Sequence, residues 1–364
     1  MEIKNLTKAE LGVWDDFCEQ SSDAWFWHTT IWLDYCGAYK PAHLPGLSPE
    51  NKSFLVRDDG KILAVCPLFV ETIAGEKQIS SGNIPAYFPA LAPDLSLAQR
   101  EKTIKFIFEH VGKLAREFGV MRAVFQAAVL APALANKHFT PFNYLVKLGY
   151  LDSSINTQII DLNKDEKALR ADMSHGHDAA VAAGSKLFSV QVYDKANLTR
   201  QIFDQYVAWH ELAGGGQVRP RKTYDLMYQA AEAGSGFLVG ASQDQNLAGL
   251  VYFYTYKGNC YYASVGVAPE MDRLPIAHFI QWEAIKYMKS KNYRFYELGW
   301  QFFSPSLNYP EVQKEISISK FKRGFGGTTV PLVRGEKFFD NELLKKVLSQ
   351  RAASYIKSLE EKYE

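Results

Sequence analysis

Cysteine is scarce: four residues in a chain of 364, Cys18, Cys36, Cys66 and Cys260. None stands at paired spacing, so neither a disulfide framework nor a zinc ribbon is indicated, and all four read as buried thiols. His175 and His177 lie two apart with no other histidine within thirty residues, and metal binding there would need carboxylates from elsewhere, so no metal is expected. Long apolar runs are missing too. No segment approaches the roughly twenty apolar residues that cross a bilayer, and the opening MEIKNLTKAELGVWDDF carries acids where a secretory leader has its apolar core. The expectation is a cytoplasmic protein without membrane insertion. Charge of one sign is not in excess, with 41 basic against 40 acidic residues. A protein built to coat nucleic acid needs a clear basic surplus, so DNA is not an expected partner. What is present is apolar and aromatic material, 47% and 14% of the chain, enough to fill the cores of two domains.

The most structured stretch lies in the C-terminal third. Leu247 to Tyr256 and Cys260 to Val267 are rich in Val, Tyr and Phe and are joined by Lys257-Gly258-Asn259, the pattern of a hairpin of two long strands. Ile276, Phe279, Ile280, Tyr287 and Met288 then recur at helical spacing behind Pro275, and Tyr293 to Leu298 reads as another strand. Strand, helix and strand of this length form a crossover unit. The second strand should run parallel to the first, with a site at their carboxyl ends. The first half shows the same order: strands at Ser53 to Arg57 and Ile62 to Val70, a helix from Gln99 to Phe118, and a strand from Val120 to Gln126. Thr157 to Leu162 carries the chain into the second half. Asn163 is placed to cap a helix through Leu169 and Met173 toward Ala183, with Gly184 as its stop. The tail from Glu336 is charged and helical in pattern.

Six segments together resemble the FemAB-like branch of the GNAT superfamily: FWHTTIWLDY, GNIPAYFPALAP, LRADMSHGHDAAVAAGSK, GLVYFYTYKGNCYYASVG, IAHFIQWEAIKYMKSKNYRFYELG and FKRGFGG. Their order carries the resemblance, over most of residues 20 to 335. It implies an α/β protein of two tandem GNAT-like domains, each a mixed, mostly antiparallel sheet flanked by helices. The expected boundaries are 1–160, 161–335 and a helical tail 336–364. It further implies acyl transfer to an amine, from acyl-CoA in one branch of the wider family and from aminoacyl-tRNA in another. One departure stands out. The turn before the crossover helix, Ala268 to Pro275, has no glycine and carries Glu270 and Asp272, so it lacks the usual nest of N–H groups for the CoA diphosphate. Arg273 is the one cation there, and hence the candidate diphosphate contact.

The remaining candidates follow from the same resemblance. Glu297 in YELGW sits where this branch often has an acid, as base or orienting group for the amine; a structural carboxylate is its other reading. Trp300 and Gln301 lead into a loop placed to cover the acceptor. Lys322 in FKRGFGG best matches a lysine that meets the diphosphate or reacting group in tRNA-dependent relatives, with Lys320 and Arg323 beside it as donor contacts. A solvated basic turn is the alternative. His210 precedes the triple glycine Gly214-Gly215-Gly216, and Arg221 with Tyr224 resembles the family's arginine and tyrosine pair. Arg219 and Arg221 are placed to fork onto a phosphate or carboxylate. By strand alternation Tyr262 and Ser264 share one face and Tyr261 takes the other. Tyr262 is then the candidate acid for the leaving group, unless it is core. His28 and Trp32 reach toward the cleft from the first domain, or pack in it.

The expected function is N-acyl transfer, with acetyl-CoA as the leading donor, onto an amino group of an anionic small molecule such as an amino sugar or nucleotide sugar of a surface glycan. Aminoacyl-tRNA-dependent transfer to a peptidoglycan precursor is the second reading, and the only one with tRNA as a partner. An inactive GNAT-like binding scaffold is the third. The acceptor, the acyl chain, the general base and the oligomeric state stay open.

Overall fold

The computed structural model describes residues 1–44, 46–136, 142–271 and 273–360; Asp272 and the end of the expected tail, 361–364, lie outside them. Three sheets organise the chain. A four-stranded sheet (Glu2–Asn5, Phe54–Asp58, Lys61–Cys66, Ala90–Leu91) and a larger one centred on Arg122–Gln126 form the first half. The second half is one seven-stranded sheet in the order Ser189–Tyr193, Gly236–Gln243, Asn246–Tyr256, Asn259–Val267, Phe295–Gln301, Ile155–Asp161, Thr328–Leu332. The architecture is the α/β one of tandem mixed sheets with flanking helices, and in each half a helix leads to a strand that pairs parallel to an earlier one.

In the second half that helix is Ile276–Ser290. It buries Ile276, Phe279, Ile280, Trp282, Ile285 and Met288 against the sheet, each worth about 1.5–3 kcal/mol of transfer from water. In the first half the helix is Leu97–Phe118. Ser96 and Gln99 cap it reciprocally, and Gly119 ends it at φ +65°.

Several boundaries differ from the sequence reading. Pro67 cannot donate to a ladder, and the single strand expected from Ile62 to Val70 is two, Lys61–Cys66 and Phe69–Ile73, in different sheets. The helix expected from Asn163 is also two. Asp165 caps Glu166–Ala171, and Ser174 caps His175–Leu187, which runs through Gly184 instead of stopping there. Gly184 serves packing: a β-carbon on it would lie 2.6 Å from that of Phe279 on the crossover helix. The expected boundary at 335/336 falls inside the strand Arg334–Phe338, which pairs with Arg122–Gln126 in the first half. The chain thus returns to its first half before the final helix, Asn341–Glu360.

The halves share a core. Trp25, Phe26, Trp27 and Trp32 pack in one buried cluster with Tyr252, Tyr254 and Leu332. The Phe26 ring stacks on Tyr254 at 4.5 Å, Trp25 Nε1 donates to Tyr256 O at 2.9 Å, and Asn259 Nδ2 donates to Leu130 O at 2.7 Å.

Candidate active site at the splayed strands

The central strand Asn259–Val267 and the crossover strand Phe295–Gln301 run parallel, but only Asn259 to Tyr261 pair, with Phe295 to Glu297. Beyond that point they part, and a cleft of about 430 Å³ opens where the crossover topology placed it. Each strand is bulged at the opening. In the central strand Ser264 faces Tyr252 and Tyr262 faces Phe253, leaving Ala263 as the extra residue. In the crossover strand Glu297 faces Ile159 and Gly299 faces Gln158, leaving Leu298 extra. Bulges of this kind re-aim side chains. As a result Tyr261, Ala263 and Ser264 all line the cleft, and so do both Glu297 and Trp300.

The bulge corrects one expectation directly. Tyr262 does not share a face with Ser264; its ring lies 6.2 Å from Phe253, against the core beneath the crossover helix, and Tyr261 takes its place in the cleft.

Glu297 is 4% exposed and accepts a hydrogen bond from Thr157 Oγ1 at 2.7 Å. Burial raises its carboxyl to about 7, against the opposing pull of Thr157 and of the Lys322 ammonium. Lys322 enters from the helix Gln313–Arg323, whose residues Glu315, Ile318 and Ser319 line the same wall. Its ammonium is pushed down to about 8 by burial, with Glu297 opposing. A carboxyl and an ammonium that both titrate near neutrality face one cleft, the arrangement that proton transfer requires.

The first half supplies Trp27, Trp32, Tyr35 and Tyr87. Trp27 lies 4.4 Å from Trp32 and 5.1 Å from Tyr261, and Trp32 stacks on Tyr35 at 4.7 Å. This aromatic wall ends at Arg219. The triple-glycine loop carries it there: Gly215 and Gly216 take φ +80° and +135°, and Ala42 N donates to Val218 O at 3.2 Å, tying the loop to the first half. Arg219 Nη1 donates to Tyr35 Oη at 2.9 Å, and its guanidinium lies 4.4 Å from the centre of the Tyr224 ring. No carboxylate among the described residues pairs with it; its Nε and the Trp32 Nε1 are buried without a partner.

Of the other expected residues, Tyr224 and His210 pair behind Arg219 (Oη to Nδ1, 3.0 Å), and burial, then Arg219, drives His210 down to about 4. Arg221 forms no fork with Arg219, because it pairs on the surface with Asp204 and Asp225. His28 is buried behind the wall, its Nε2 2.8 Å from Phe88 O and its Nδ1 against Trp25. Gln301 accepts from Arg323 Nη1 at 2.9 Å, and Arg323 covers the Phe303 ring. Lys320 and Arg273 are exposed. Sequence reasoning missed Trp27, Tyr35, Tyr87, Tyr254, Gln126 and Thr157; the aromatic richness of FWHTTIWLDY was the visible signal for Trp27 and Tyr35.

Several amides of the turn ahead of the crossover helix are closed to a CoA diphosphate. Pro269 and Pro275 have no N–H, and the amides of Ala268, Met271, Leu274 and Ile276 are spent on Ala248 O, Ala268 O, Met271 O and Leu274 O at 2.8–2.9 Å. The space beside the helix start holds a ring cluster, His278 lying 4.6 Å from His177 and 5.0 Å from Phe321.

Comparisons place this geometry. Residues 169–305 match the acetyltransferase (GNAT) domain family. The fold is similar to the crystal structure of FemX, at 12% identity and a TM-score of 0.64, covering 96% of this chain and 100% of that one. It is also similar to L-PGS from Bacillus licheniformis, at 11% identity and a TM-score of 0.58, covering 96% and 97%. No curated sequence matches. Residues 169–305 thus match a GNAT domain, within a chain whose fold as a whole is similar to that of FemX.

Proposed function

We propose that the protein transfers an acyl group to the amino group of an anionic small molecule in the cleft between its halves. The observation that carries this reading is the Glu297 and Lys322 pair at the strand splay, Glu297 buried and Lys322 half-buried on the same cleft, with both groups near neutrality. Glu297, as carboxylate, takes a proton from the acceptor ammonium. The amine nitrogen then attacks the acyl carbonyl carbon; the C–N bond forms, the bond to the leaving oxygen or sulfur breaks, Lys322 gives that atom its proton, and the second proton shed by the nitrogen returns to Lys322. Tyr261 and Trp27 hold the acceptor beside Glu297.

Arg219 fixes the acceptor's charge. A guanidinium walled by tyrosines and lacking a carboxylate partner favours a carboxylate or phosphate on the ligand. Broad aromatic faces suit a sugar ring, so a negatively charged amino sugar or nucleotide sugar of surface-glycan synthesis is the acceptor class we put first. Acetyl-CoA as donor would have to hold its diphosphate away from the 268–275 turn. The spent amides of that turn favour a second donor reading, an aminoacyl ester of tRNA, with the acceptor then a peptidoglycan precursor.

The test is acyl transfer by the purified protein, with radiolabelled acetyl-CoA and bulk aminoacyl-tRNA as parallel donors and a panel of anionic amines as acceptors. Label appearing in an amide from either donor, abolished in Glu297→Gln, supports the proposal and names the donor. Ligand binding without transfer from either donor would reduce the protein to a GNAT-like scaffold.

A further inference from the structure

We infer that Gly299 is a positioning residue for Lys322, its missing side chain leaving the seat in which the ammonium rests. The inference builds on the role given to Lys322 above. Gly299 follows the bulge at Leu298 and takes φ +91°, a conformation that side chains with a β-carbon rarely adopt. A β-carbon built on it would lie 3.1 Å from Lys322 Nζ and 3.4 Å from the Tyr261 hydroxyl. The first distance is shorter than ordinary contact, which begins near about 3.5 Å.

Shape matters here because nothing else holds the ammonium. Among the described residues no hydrogen bond or ion pair within 4 Å is made to Lys322 Nζ, and Glu297 acts on it only through space. The lysine comes from a separate helix, Gln313–Arg323, so its place relative to Glu297 depends on how closely it can approach the crossover strand. Gly299 sets that approach. The same bulge that brings Glu297 and Trp300 to one face puts the side-chain-free position between them.

Kinetics and magnetic resonance test this separately. Gly299→Ala should lower kcat on the order of tenfold, because a displacement well under 1 Å of a reacting group is costly, while KM for the acceptor changes less than about twofold. In a Lys322→Met background the same substitution should change kcat by less than about twofold, since the residue it acts through is gone. Losses that multiply would overturn the inference, because Gly299 would then matter through the strand alone.

Alanine at φ +91° strains the backbone, so a second measurement leaves Gly299 in place. With α-carbon-labelled glycine, the Gly299 resonance should move with a midpoint near pH 8, and that movement should be missing in Lys322→Met. A resonance that ignores pH between 7 and 9, or moves equally in the variant, rejects the seat. This result stands whether or not the protein transfers acyl groups, so failure of the seat and failure of the proposed function are separable.

Discussion

A carboxyl group at 4% exposure with one hydroxyl as its direct partner is poorly solvated when charged, and the protein keeps it in that state at the edge of neutrality. Catalysis by the Glu297 and Lys322 pair should follow a narrow bell. Activity rises as Glu297 loses its proton near pH 7 and falls as Lys322 loses its own near pH 8, the two limbs belonging to the coupled pair. Glu297→Gln should remove the acid limb and Lys322→Met the alkaline one, read from kcat/KM between pH 5.5 and 9.5. The same burial has a stability consequence. The folded carboxyl titrates above its unfolded value, so the folded state binds the extra proton between about 4.5 and 7, and stability is lost as pH rises through that window. Glu297→Gln should therefore be more stable than the unaltered protein at pH 8, by on the order of 3 kcal/mol, with the gap closing by pH 5. An equal gap at both pH values would refute the assignment. Glu297, Lys322, Arg219 and Trp32, which line the cleft, were legible as candidates because each is a charged or aromatic residue in a quotable segment. Thr157 and Gln126 were not, since a polar residue inside a strand looks the same whether it faces a cleft or a neighbour.

At the scale of strands and helices, order was readable and register was not. The hairpin, the crossover helix and the parallel return strand stand as the periodicity predicted, and the cleft opens at the expected strand ends. Alternation, however, assumes an unbroken ladder. One extra residue at Ala263 exchanges the faces of everything beyond it, and no composition signal in CYYASVGV marks the place. The paired tyrosines give the test. Tyr261→Phe should lower kcat about tenfold or more with little change in the urea midpoint. Tyr262→Phe should leave kcat within about twofold and act on stability alone, by up to about 1 kcal/mol. Reversal of the two would mean that the bulge does not form in solution. Gly184 illustrates the other blind spot, since a glycine late in a helical pattern looks like a stop. Here it admits Phe279, and Gly184→Val should cost about 1–3 kcal/mol through overpacking, seen as a lowered denaturation midpoint.

The molecule as a whole is harder to cut than its repeated order of elements suggests. A chain read as two successive domains and a tail would have few contacts across each boundary, yet the cleft takes its aromatic wall from one half and its acid and lysine from the other. The hairpin turn between the two longest strands makes the tie. Lys257 at its tip donates to the carbonyl oxygens of Cys18 and Ser21, and Trp25 donates back to Tyr256. The strand Arg334–Phe338 then brings the chain home to the first half, with Arg334 Nε donating to Gln126 Oε1 at 3.0 Å. An interface that shares one buried cluster and is closed by a returning strand should unfold together with the halves it joins. Calorimetry of the intact protein should show one cooperative transition, and Lys257→Met should lower it without splitting it, by about 1–3 kcal/mol for two carbonyls left without their charged donor. Two separated transitions would mean that each half is stable alone; the cleft would then be a hinge whose width varies, and Arg219 would no longer stand at a fixed distance from Glu297.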